Sequence, residues 1–399
     1  MTLTFLSGAA GISDNALLFD VHGARLLVDL GHHGPGDVPA WMDSQADLGS
    51  IHAAAVSHAH ADHLGALAAC LQRRPSLPVF TSAPTRDLTA FAITPRARDR
   101  PHARSLAESL TALPFDAPQP ILGGALRLTL LPCGHMLGAA SLLLDSEHSS
   151  KFPTILVLPD FCLHAQSILP GALLPEAPVD TLVMEGTLAI DRSADAIDYA
   201  AESARLVEVM RAHPGAPRLL AAAPLGEGPE VAHILRHVGE PVVAHRYMQP
   251  VFEAYRRHTS EDFAHVTFAD SAGCRAALLA SRIVLAMGAH FEPHAESGRL
   301  AAHVEHRADA LLILFNGARA RRAPSGALVH RAQRFVLPTH APRWALLEAV
   351  RRIAPRRVVL YHGPHKGLHA LAKAIRKEGA VEEVVVPRDG EVVGLYVAK

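Results

Sequence analysis

The chain contains the stretch Ser57-His58-Ala59-His60-Ala61-Asp62-His63, which places three imidazoles and one carboxylate within six residues. An apolar run, Ala53-Ala54-Ala55-Val56, comes directly before it, and a helical pattern follows over residues 66–73. Imidazole and carboxylate ligands together suit Zn²⁺, Mn²⁺ or Fe²⁺. Because the cluster lies between a predicted strand and a predicted helix, the pattern favours a metal site over a loop that is His-rich by chance.

Short apolar runs on both sides of this stretch alternate with turn signals. Before it, strands are predicted at residues 2–6, 15–21, 25–30 and 53–57, with a turn at His22-Gly23. After it, further strands are predicted at residues 126–131, 141–144, 154–158 and 181–184, and most of them lead into a polar, metal-capable residue. This order indicates sheet layers covered by helices, an α/β class of fold.

The pattern changes after Glu185, where predicted strands and helices alternate. A helix is expected at residues 193–211 with Ser193 as its N-cap, followed by a strand at 218–223 and a helix at 229–238. This βα rhythm continues through the apolar runs 282–287 and 310–315, and it predicts a parallel sheet inserted as its own domain. The first pattern is expected to resume with a strand at 334–337, a helix at 342–353, a strand at 357–361 and a closing hairpin around Asp389-Gly390.

Composition limits the class of protein. The 399 residues are 49% hydrophobic, but no unbroken apolar run reaches the ~18 residues of a membrane span, so no membrane partner is expected. The first residues lack the basic and apolar regions of a signal peptide, so a cytoplasmic location is expected. Four widely spaced cysteines argue against a disulfide scaffold. A formal net charge of -1 means that a polyanion would have to bind a local patch.

Several motifs in chain order resemble one family. The stretch at 57–63, followed by Leu64-Gly65, resembles the signature of metallo-β-lactamase-fold hydrolases. Cys133-Gly134-His135 resembles the loop that gives this family its third histidine, and Leu158-Pro159-Asp160-Phe161 the loop that gives its bridging aspartate. The run Asp180-Thr181-Leu182-Val183-Met184-Glu185-Gly186-Thr187 resembles motif A of the β-CASP branch, the nucleases that include RNase J and the pre-mRNA 3′-end processing endonuclease. Pro338-Thr339-His340-Ala341 resembles motif B and Tyr361-His362-Gly363 motif C.

The resemblance implies a metallo-β-lactamase αββα sandwich with an inserted β-CASP-like α/β domain. The sandwich would comprise residues 1–190 and 326–399, and the insert residues 191–325. One departure concerns the substrate. The family usually follows motif A with a Ser-Thr-Tyr-Gly run, whereas this chain has Gly186-Thr187-Leu188-Ala189.

The resemblance also implies two divalent metal ions per chain, with zinc favoured and manganese as the alternative. His58, His60 and His135 would hold one ion, Asp62, His63 and His362 the other, and Asp160 would bridge them. Two neighbouring cations need such a shared anion to offset their repulsion.

Three residues are candidate catalytic groups. Asp62 belongs to the metal motif itself. Glu185 ends a predicted buried strand, and the resemblance gives it a hydrogen bond that orients a ligand histidine. His340 would donate a proton to the leaving oxygen or steady the scissile phosphate.

Three functions fit these residues. The first is a phosphodiester hydrolase that uses a metal-activated hydroxide, namely an endo- or 5′-exoribonuclease. Its partner would be single-stranded RNA, with single-stranded DNA as an option. The second is a small-molecule hydrolase acting on a thioester, lactone or cyclic phosphodiester, which the near-neutral charge leaves open. The third is a silent scaffold for a nuclease partner, which the complete ligand set disfavours. The sequence does not decide between endo- and exonucleolytic cleavage, and it leaves a homodimer as one option for the oligomeric state.

Arginine clusters are the sequence features that could bind phosphates. Each cluster also fits an ordinary solvated basic surface. Aromatic residues for base stacking are few, with Trp41 and Trp344 as the two tryptophans. The clusters are Arg96, Arg98, Arg100 and Arg104; Arg319, Arg321 and Arg322; and Arg351, Arg352, Arg356 and Arg357.

Overall fold

A computed structural model of the chain describes residues 1–12, 14–33, 38–44, 48–93, 100–146, 152–191, 194–288, 296–315 and 332–395. The chain divides into two compact units. Unit 1 comprises Met1–Ala165, Pro170–Asp195 and His340–Lys399, and unit 2 comprises Gln166–Leu169 and Ala196–Thr339.

The described elements alternate along the chain as an α/β protein. The strands are β1 (Thr2–Ser7), β2 (Ala16–Val21), β3 (Ala24–Val28), β4 (Ala53–Ala55), β5 (Val79–Ser82), β6 (Thr111–Leu113), β7 (Gln119–Ile121), β8 (Leu126–Pro132), β9 (Ala140–Asp145), β10 (Ile155–Leu158), β11 (Thr181–Glu185), β12 (Arg218–Ala222), β13 (Val242–His245), β14 (Val266–Ala269), β15 (Ile283–Met287), β16 (Leu311–Phe315), β17 (Gln333–Phe335), β18 (Arg357–Tyr361), β19 (Glu383–Val385) and β20 (Val392–Gly394). The α-helices are α1 (Ala40–Ser44), α2 (Ala61–Leu64), α3 (Leu67–Arg73), α4 (Ala83–Ile93), α5 (Arg100–Glu108), α6 (Tyr199–Ala212), α7 (Glu227–Leu235), α8 (Gln249–His258), α9 (Ser271–Leu279), α10 (Glu296–Ala302), α11 (Arg343–Ile353) and α12 (His365–Glu378).

Unit 1 contains two mixed sheets that share one core. Their orders are β20-β1-β2-β3-β4-β5-β6 and β19-β18-β11-β10-β9-β8-β7. Alternating apolar residues, such as Phe5 and Phe19 from the first sheet and Leu130, Val157 and Val183 from the second, meet in that core. Helices complete the unit, with α4 contacting β5 and β6, and α12 contacting β18 and β19.

The pairing of three central strands positions the polar residues that follow them. Strands β10, β11 and β18 are adjacent and parallel, with Leu158 opposite Met184 and Glu185 opposite Tyr361. Their carboxyl ends therefore lie at one edge of the sheet. In open sheets that contain parallel strands, this edge is where ligands commonly bind.

Unit 2 is built on a parallel sheet with the order β14-β13-β15-β12-β16-β17. Its central strands are buried along their whole length, as in β12 and β16. This explains why their sequences are continuous apolar runs and do not alternate with polar residues.

Most predicted strands of the amino-terminal region are confirmed, but three expectations are wrong. The helix predicted from Ser193 begins at Tyr199, because Asp198 accepts hydrogen bonds from the Ala200 and Ala201 amides and caps it; Ser193 itself lies outside the described residues. The strand expected to resume the first pattern is β17, which pairs in parallel with β16, so unit 2 continues to Thr339 and not only to 325.

The expected hairpin at Asp389-Gly390 is the third difference. Strand β19 pairs with β18 and strand β20 with β1, so the turn connects two sheets. Asp389 accepts a hydrogen bond from the Ala9 amide and Gly390 donates one to the Phe5 carbonyl, and these contacts fix the crossing. All four cysteines are free and buried. None of the helices that the structure describes is both long and apolar enough to span a membrane.

Candidate metal centre

The histidine stretch lies in a loop and a one-turn helix after β4. His58 and His60 are in the loop, and Asp62 and His63 are in α2. The other metal-capable residues also follow strands: His135 lies between β8 and β9, Asp160 follows β10 and His362 follows β18. All these residues belong to unit 1, and the structure brings them together at one place.

One group of ligand atoms comes from His58, His60, His135 and Asp160. His60 Nδ1 lies 3.2 Å from His58 Nε2 and 3.1 Å from His135 Nε2. Asp160 Oδ2 lies 3.6 Å from His58 Nε2 and 3.7 Å from His135 Nε2. Around a tetrahedral ion with bonds of about 2.0–2.2 Å, ligand atoms are roughly 3.3–3.6 Å apart. The observed spacings fit one such ion.

A second group comes from Asp62, His63, Asp160 and His362. His362 Nε2 lies 3.6 Å from Asp62 Oδ2 and 3.2 Å from Asp160 Oδ1, and His63 Nε2 lies 3.7 Å from Asp62 Oδ2. Asp160 Oδ2 lies 3.5 Å from His63 Nε2 as well, so the Asp160 carboxylate contacts residues of both groups. It is therefore placed to be shared between them.

Unpartnered polar atoms show that the residues suit cations. His362 Nε2 and Asp160 Oδ1 are buried and neither has a hydrogen-bond partner. Leaving such atoms unpaired inside a protein costs about 1–3 kcal/mol each. A metal ion between them would satisfy both, because imidazole nitrogen and carboxylate oxygen are ordinary ligands of divalent transition metals.

The pKa values of His58 and Asp160 also suit the binding of a cation. Burial, with the neighbouring His63 and His135, holds the pKa of His58 well below its ordinary value, so this ring is neutral. Burial raises the pKa of Asp160, but His362 and His340 outweigh it and hold that pKa well below its usual range. A neutral imidazole and an ionised carboxylate are the forms that bind metal.

Asp29 contacts the centre and was not predicted from the sequence. Its Oδ2 atom lies 2.7 Å from His63 Nδ1, and both side chains are fully buried. The Ser57 amide and hydroxyl donate to the same carboxylate at 2.8 and 3.0 Å. Asn15 contacts the other side of the ring, with Nδ2 lying 3.1 Å from His63 Nε2. The only signal in the sequence is an acid inside the apolar run around Val28 and Leu30.

Glu185 and His340 form a pair beside the ligand groups. His340 Nδ1 lies 3.3 Å from Glu185 Oε1, and its ring centroid lies 4.6 Å from that of His135. The Phe161 and Thr187 amides donate to the Glu185 carboxylate at 3.2 and 2.8 Å. The expected partner of Glu185 was a ligand histidine, whereas its observed partner is His340; among the candidate ligands, His63 contacts Asp29.

Charge around His340 differs from that around an isolated histidine. Burial lowers its pKa, but the carboxylates of Asp160 and Glu185 outweigh burial and raise the pKa to about 9. The ring is half-buried. The carboxylate of Asp160, which both candidate ligand groups share, therefore also acts on His340.

The predicted arginine clusters are only partly described. Arg96, Arg98, Arg319, Arg321 and Arg322 lie outside the described residues, as does the side chain of Arg100. Three others have acidic partners: Arg351 pairs with Glu378, Arg356 with Glu382 and Arg357 with Glu383. The first two pairs are exposed and typical of a solvated surface, whereas Arg357 is buried. Trp41 is buried, whereas the Trp344 side chain is 47% exposed.

Comparisons with known proteins give partial matches. The chain is 29% identical over 239 residues to an uncharacterised protein of Synechocystis sp. (59% of this chain, 40% of the relative). It is 28% identical over 205 residues to transcription termination factor FttA of Methanothermobacter thermautotrophicus (46% and 31%) and 36% identical over 90 residues to ribonuclease J of Mycolicibacterium smegmatis (21% and 16%). The matches thus span less than half the length of these relatives.

Two other comparisons concern the family and the fold. No protein-family model matches the chain. A crystal structure of a protein of unknown function from Enterococcus faecalis superposes with a TM-score of 0.62 at 15% identity, over 99% of both chains. That likeness shows a shared fold.

Proposed function

We propose that the protein is a metal-dependent phosphodiester hydrolase, and specifically a ribonuclease acting on single-stranded RNA. The observation that carries the proposal is the pair of candidate ligand groups that share the Asp160 carboxylate. The partial matches to relatives named ribonuclease J and FttA support a nucleic-acid substrate. Single-stranded DNA is a further substrate under the same proposal.

The proposed architecture is a metallo-β-lactamase domain with a β-CASP-like insert. In this assignment unit 1, with its two packed mixed sheets, is the metallo-β-lactamase domain, and unit 2, with its parallel sheet, is the insert. The motif order and the position of the ligands at the ends of β4, β10 and β18 support it. A cytoplasmic location and a homodimeric state remain predictions, the second to be checked by light scattering.

We assign one ion to His58, His60 and His135 and the other to Asp62, His63 and His362, with Asp160 shared. Two divalent ions bound there, with zinc favoured over manganese, would polarise a phosphoryl oxygen and activate water. The chain's own residues set the geometry. Asp29 holds the ring of His63, and Glu185 holds Nδ1 of His340, which leaves Nε2 of His340 to reach the leaving oxygen.

A small-molecule hydrolase is the second candidate. It is favoured by the acidic partners of Arg351, Arg356 and Arg357, which leave these arginines less able to grip a phosphate chain. A silent scaffold is disfavoured because every predicted ligand is present and in reach of its group.

One experiment separates these functions. The protein, reconstituted with Zn²⁺ or Mn²⁺, is incubated with 5′- and 3′-labelled single-stranded RNA and DNA, and separately with a chromogenic phosphodiester, a lactone and a thioester. The expected result is cleavage of RNA that Asp160→Asn abolishes, and the product ladder distinguishes internal from 5′-end cleavage. Asp145→Asn, which alters an aspartate paired with Arg127, is the control for a charge change alone. Cleavage of the lactone or thioester without cleavage of any polynucleotide would contradict the proposal.

A further inference from the structure

A second group of metal-capable side chains lies on the first two turns of α12. His365 and His369 are four residues apart and both are exposed, so their rings project from one face of the helix. Their ring centroids lie 4.4 Å apart at 69°, and their Nε2 atoms lie 3.2 Å apart. Neither residue belongs to the ligand groups of the metal centre.

The distance between the two nitrogens fits one shared ion. With metal–nitrogen bonds of about 2.0–2.1 Å, two imidazoles on a tetrahedral ion hold their nitrogens roughly 3.3–3.4 Å apart. Two histidines at this helical spacing are also a recurrent way to bind zinc. The pair therefore needs little rearrangement to bind an ion, and its exposure leaves room for water to complete the coordination.

We propose that His365 and His369 form an additional metal site, separate from the dinuclear centre, which binds a transition-metal ion such as Zn²⁺, Ni²⁺ or Cu²⁺. Imidazole suits these ions, whereas Mg²⁺ and Ca²⁺ prefer oxygen ligands. The competing explanation of the 3.2 Å contact is a hydrogen bond between one protonated and one unprotonated ring nitrogen. That contact would need no metal.

The site has a structural consequence at the start of α12. The helix follows Pro364, which provides no side-chain cap, and it begins three residues after His362, whose φ is +46°. A backbone in this region is strained for a residue other than glycine. An ion that joins the first and second turns would stabilise the helix start that follows this strained loop, since the chelate exists only when the turns are formed.

Equilibrium dialysis against Zn²⁺, followed by elemental analysis, tests the proposal. The full chain is expected to retain about one ion more than either His365→Gln or His369→Gln. His102→Gln is the matched control, because His102 is an exposed helical histidine whose neighbour four residues later, Leu106, cannot bind metal. This variant should retain the wild-type amount of Zn²⁺. Equal metal content in the wild type and both variants would overturn the proposal.

A rescue variant and a second readout make the test specific. Lys366 and Ala370 are exposed and lie one residue further along α12 with the same spacing. Adding Lys366→His and Ala370→His to the double variant His365→Gln/His369→Gln should restore the lost ion. In the wild type, Zn²⁺ should also raise hydrogen-exchange protection at the amides of Leu368 and His369, where the helical hydrogen bonds of α12 begin, and it should not do so in His369→Gln. Failure of both effects would leave a ring–ring hydrogen bond as the explanation.

Discussion

Asp29 Oδ2 lies 2.7 Å from His63 Nδ1, and both side chains are fully buried. The contact reaches from the end of β3 to α2 and leaves His63 Nε2 directed at Asp62 and Asp160. Burial lowers the pKa of His63, but the carboxylates of Asp29 and Asp62 outweigh it and raise that pKa well above its ordinary value. An ion bound at Nε2 would replace the proton there, while Asp29 keeps the ring in place.

The first prediction is that Asp29→Asn weakens metal binding about 10- to 100-fold, the usual cost of losing a residue that orients a ligand. Asparagine is a suitable replacement because Asp29 has φ +62°, a conformation that asparagine tolerates. Two contacts from Ser57 and one from His63 share the two carboxylate oxygens, and the single amide oxygen of asparagine cannot accept all three. Competition with a chromogenic chelator measures the affinity.

The control for this variant is Asp20→Asn, which changes an aspartate on β2 that pairs with Arg25 away from the ligands. It should bind metal as the wild type does. Unchanged affinity in Asp29→Asn would show that the fold alone orients His63.

The second prediction concerns Glu185 and His340, whose side chains lie 3.3 Å apart. If Glu185 acts by holding His340, Glu185→Gln and His340→Asn should each lower kcat, and the double variant should be little worse than His340→Asn. Residues that act as a unit give such non-additive effects. Single-turnover cleavage of RNA, with metal content checked for each variant, measures the coupling. Effects that multiply would assign the two residues independent roles.

The third prediction concerns a buried arginine of unit 2. Arg218 is fully buried, and its guanidinium contacts Glu240 at 2.8 and 2.5 Å. The hydrogen bond from Arg218 holds the pKa of Glu240 below its ordinary value of 4.5. The Glu240 side chain is 39% exposed, so solvent screens part of the interaction. Glu240→Gln should therefore lower the free energy of unfolding by about 1–2 kcal/mol at pH 7, because a charged hydrogen bond is lost.

The sign of the pH dependence follows from the lowered pKa. The unfolded chain binds the Glu240 proton more tightly, so the stabilisation is present above pH 4.5 and is lost as the pH falls through the folded-state value. Urea unfolding of wild type and Glu240→Gln should therefore differ most near neutral pH and converge in acid. Glu348→Gln, which removes one of the two acidic partners of the exposed Arg351, should cost only about 0–1 kcal/mol. A difference that does not change with pH would contradict the assignment.

Local patterns explain which features the sequence could predict. The ligands at 58–63 form one contiguous stretch, and His135, Asp160 and His362 each end an apolar run, so their positions could be read along the chain. The strands β1 to β4 were predicted for the same reason. The pairs Asp29–His63 and Glu185–His340 join segments that are distant in the chain. The pairing of β3 with β4 brings the first pair together, and a bridge between Leu188 and Pro342 lies beside the second. The pairing of β17 with β16 is likewise non-local. Strand β17 has only three residues, and so short a strand carries no pattern that specifies its partner.

The last prediction concerns Gly31, where three backbone segments meet beside the metal centre. The backbone amide of Asn15 donates to the backbone carbonyl of Asp62 at 2.7 Å, and the backbone amide of Gly31 donates to the backbone carbonyl of Asn15 at 2.8 Å. A Cβ atom on Gly31 would overlap the Asp62 carbonyl and the Asn15 amide, both of which are backbone atoms and cannot rotate away. Gly31→Ala should therefore displace Asp62 and reduce the metal bound per chain, with a loss of stability of about 1–3 kcal/mol from overpacking.

Gly23→Ala is the matched control for Gly31→Ala. Gly23 has φ +89°, but no atom lies within 4 Å of the position that a Cβ atom would take, so alanine there meets backbone strain without a clash. It should cost about 1–2 kcal/mol of stability and leave the metal content unchanged. Thermal unfolding and elemental analysis of both variants separate the two effects. If Gly31→Ala loses stability but keeps its full metal content, the packing at Gly31 supports the fold without positioning Asp62.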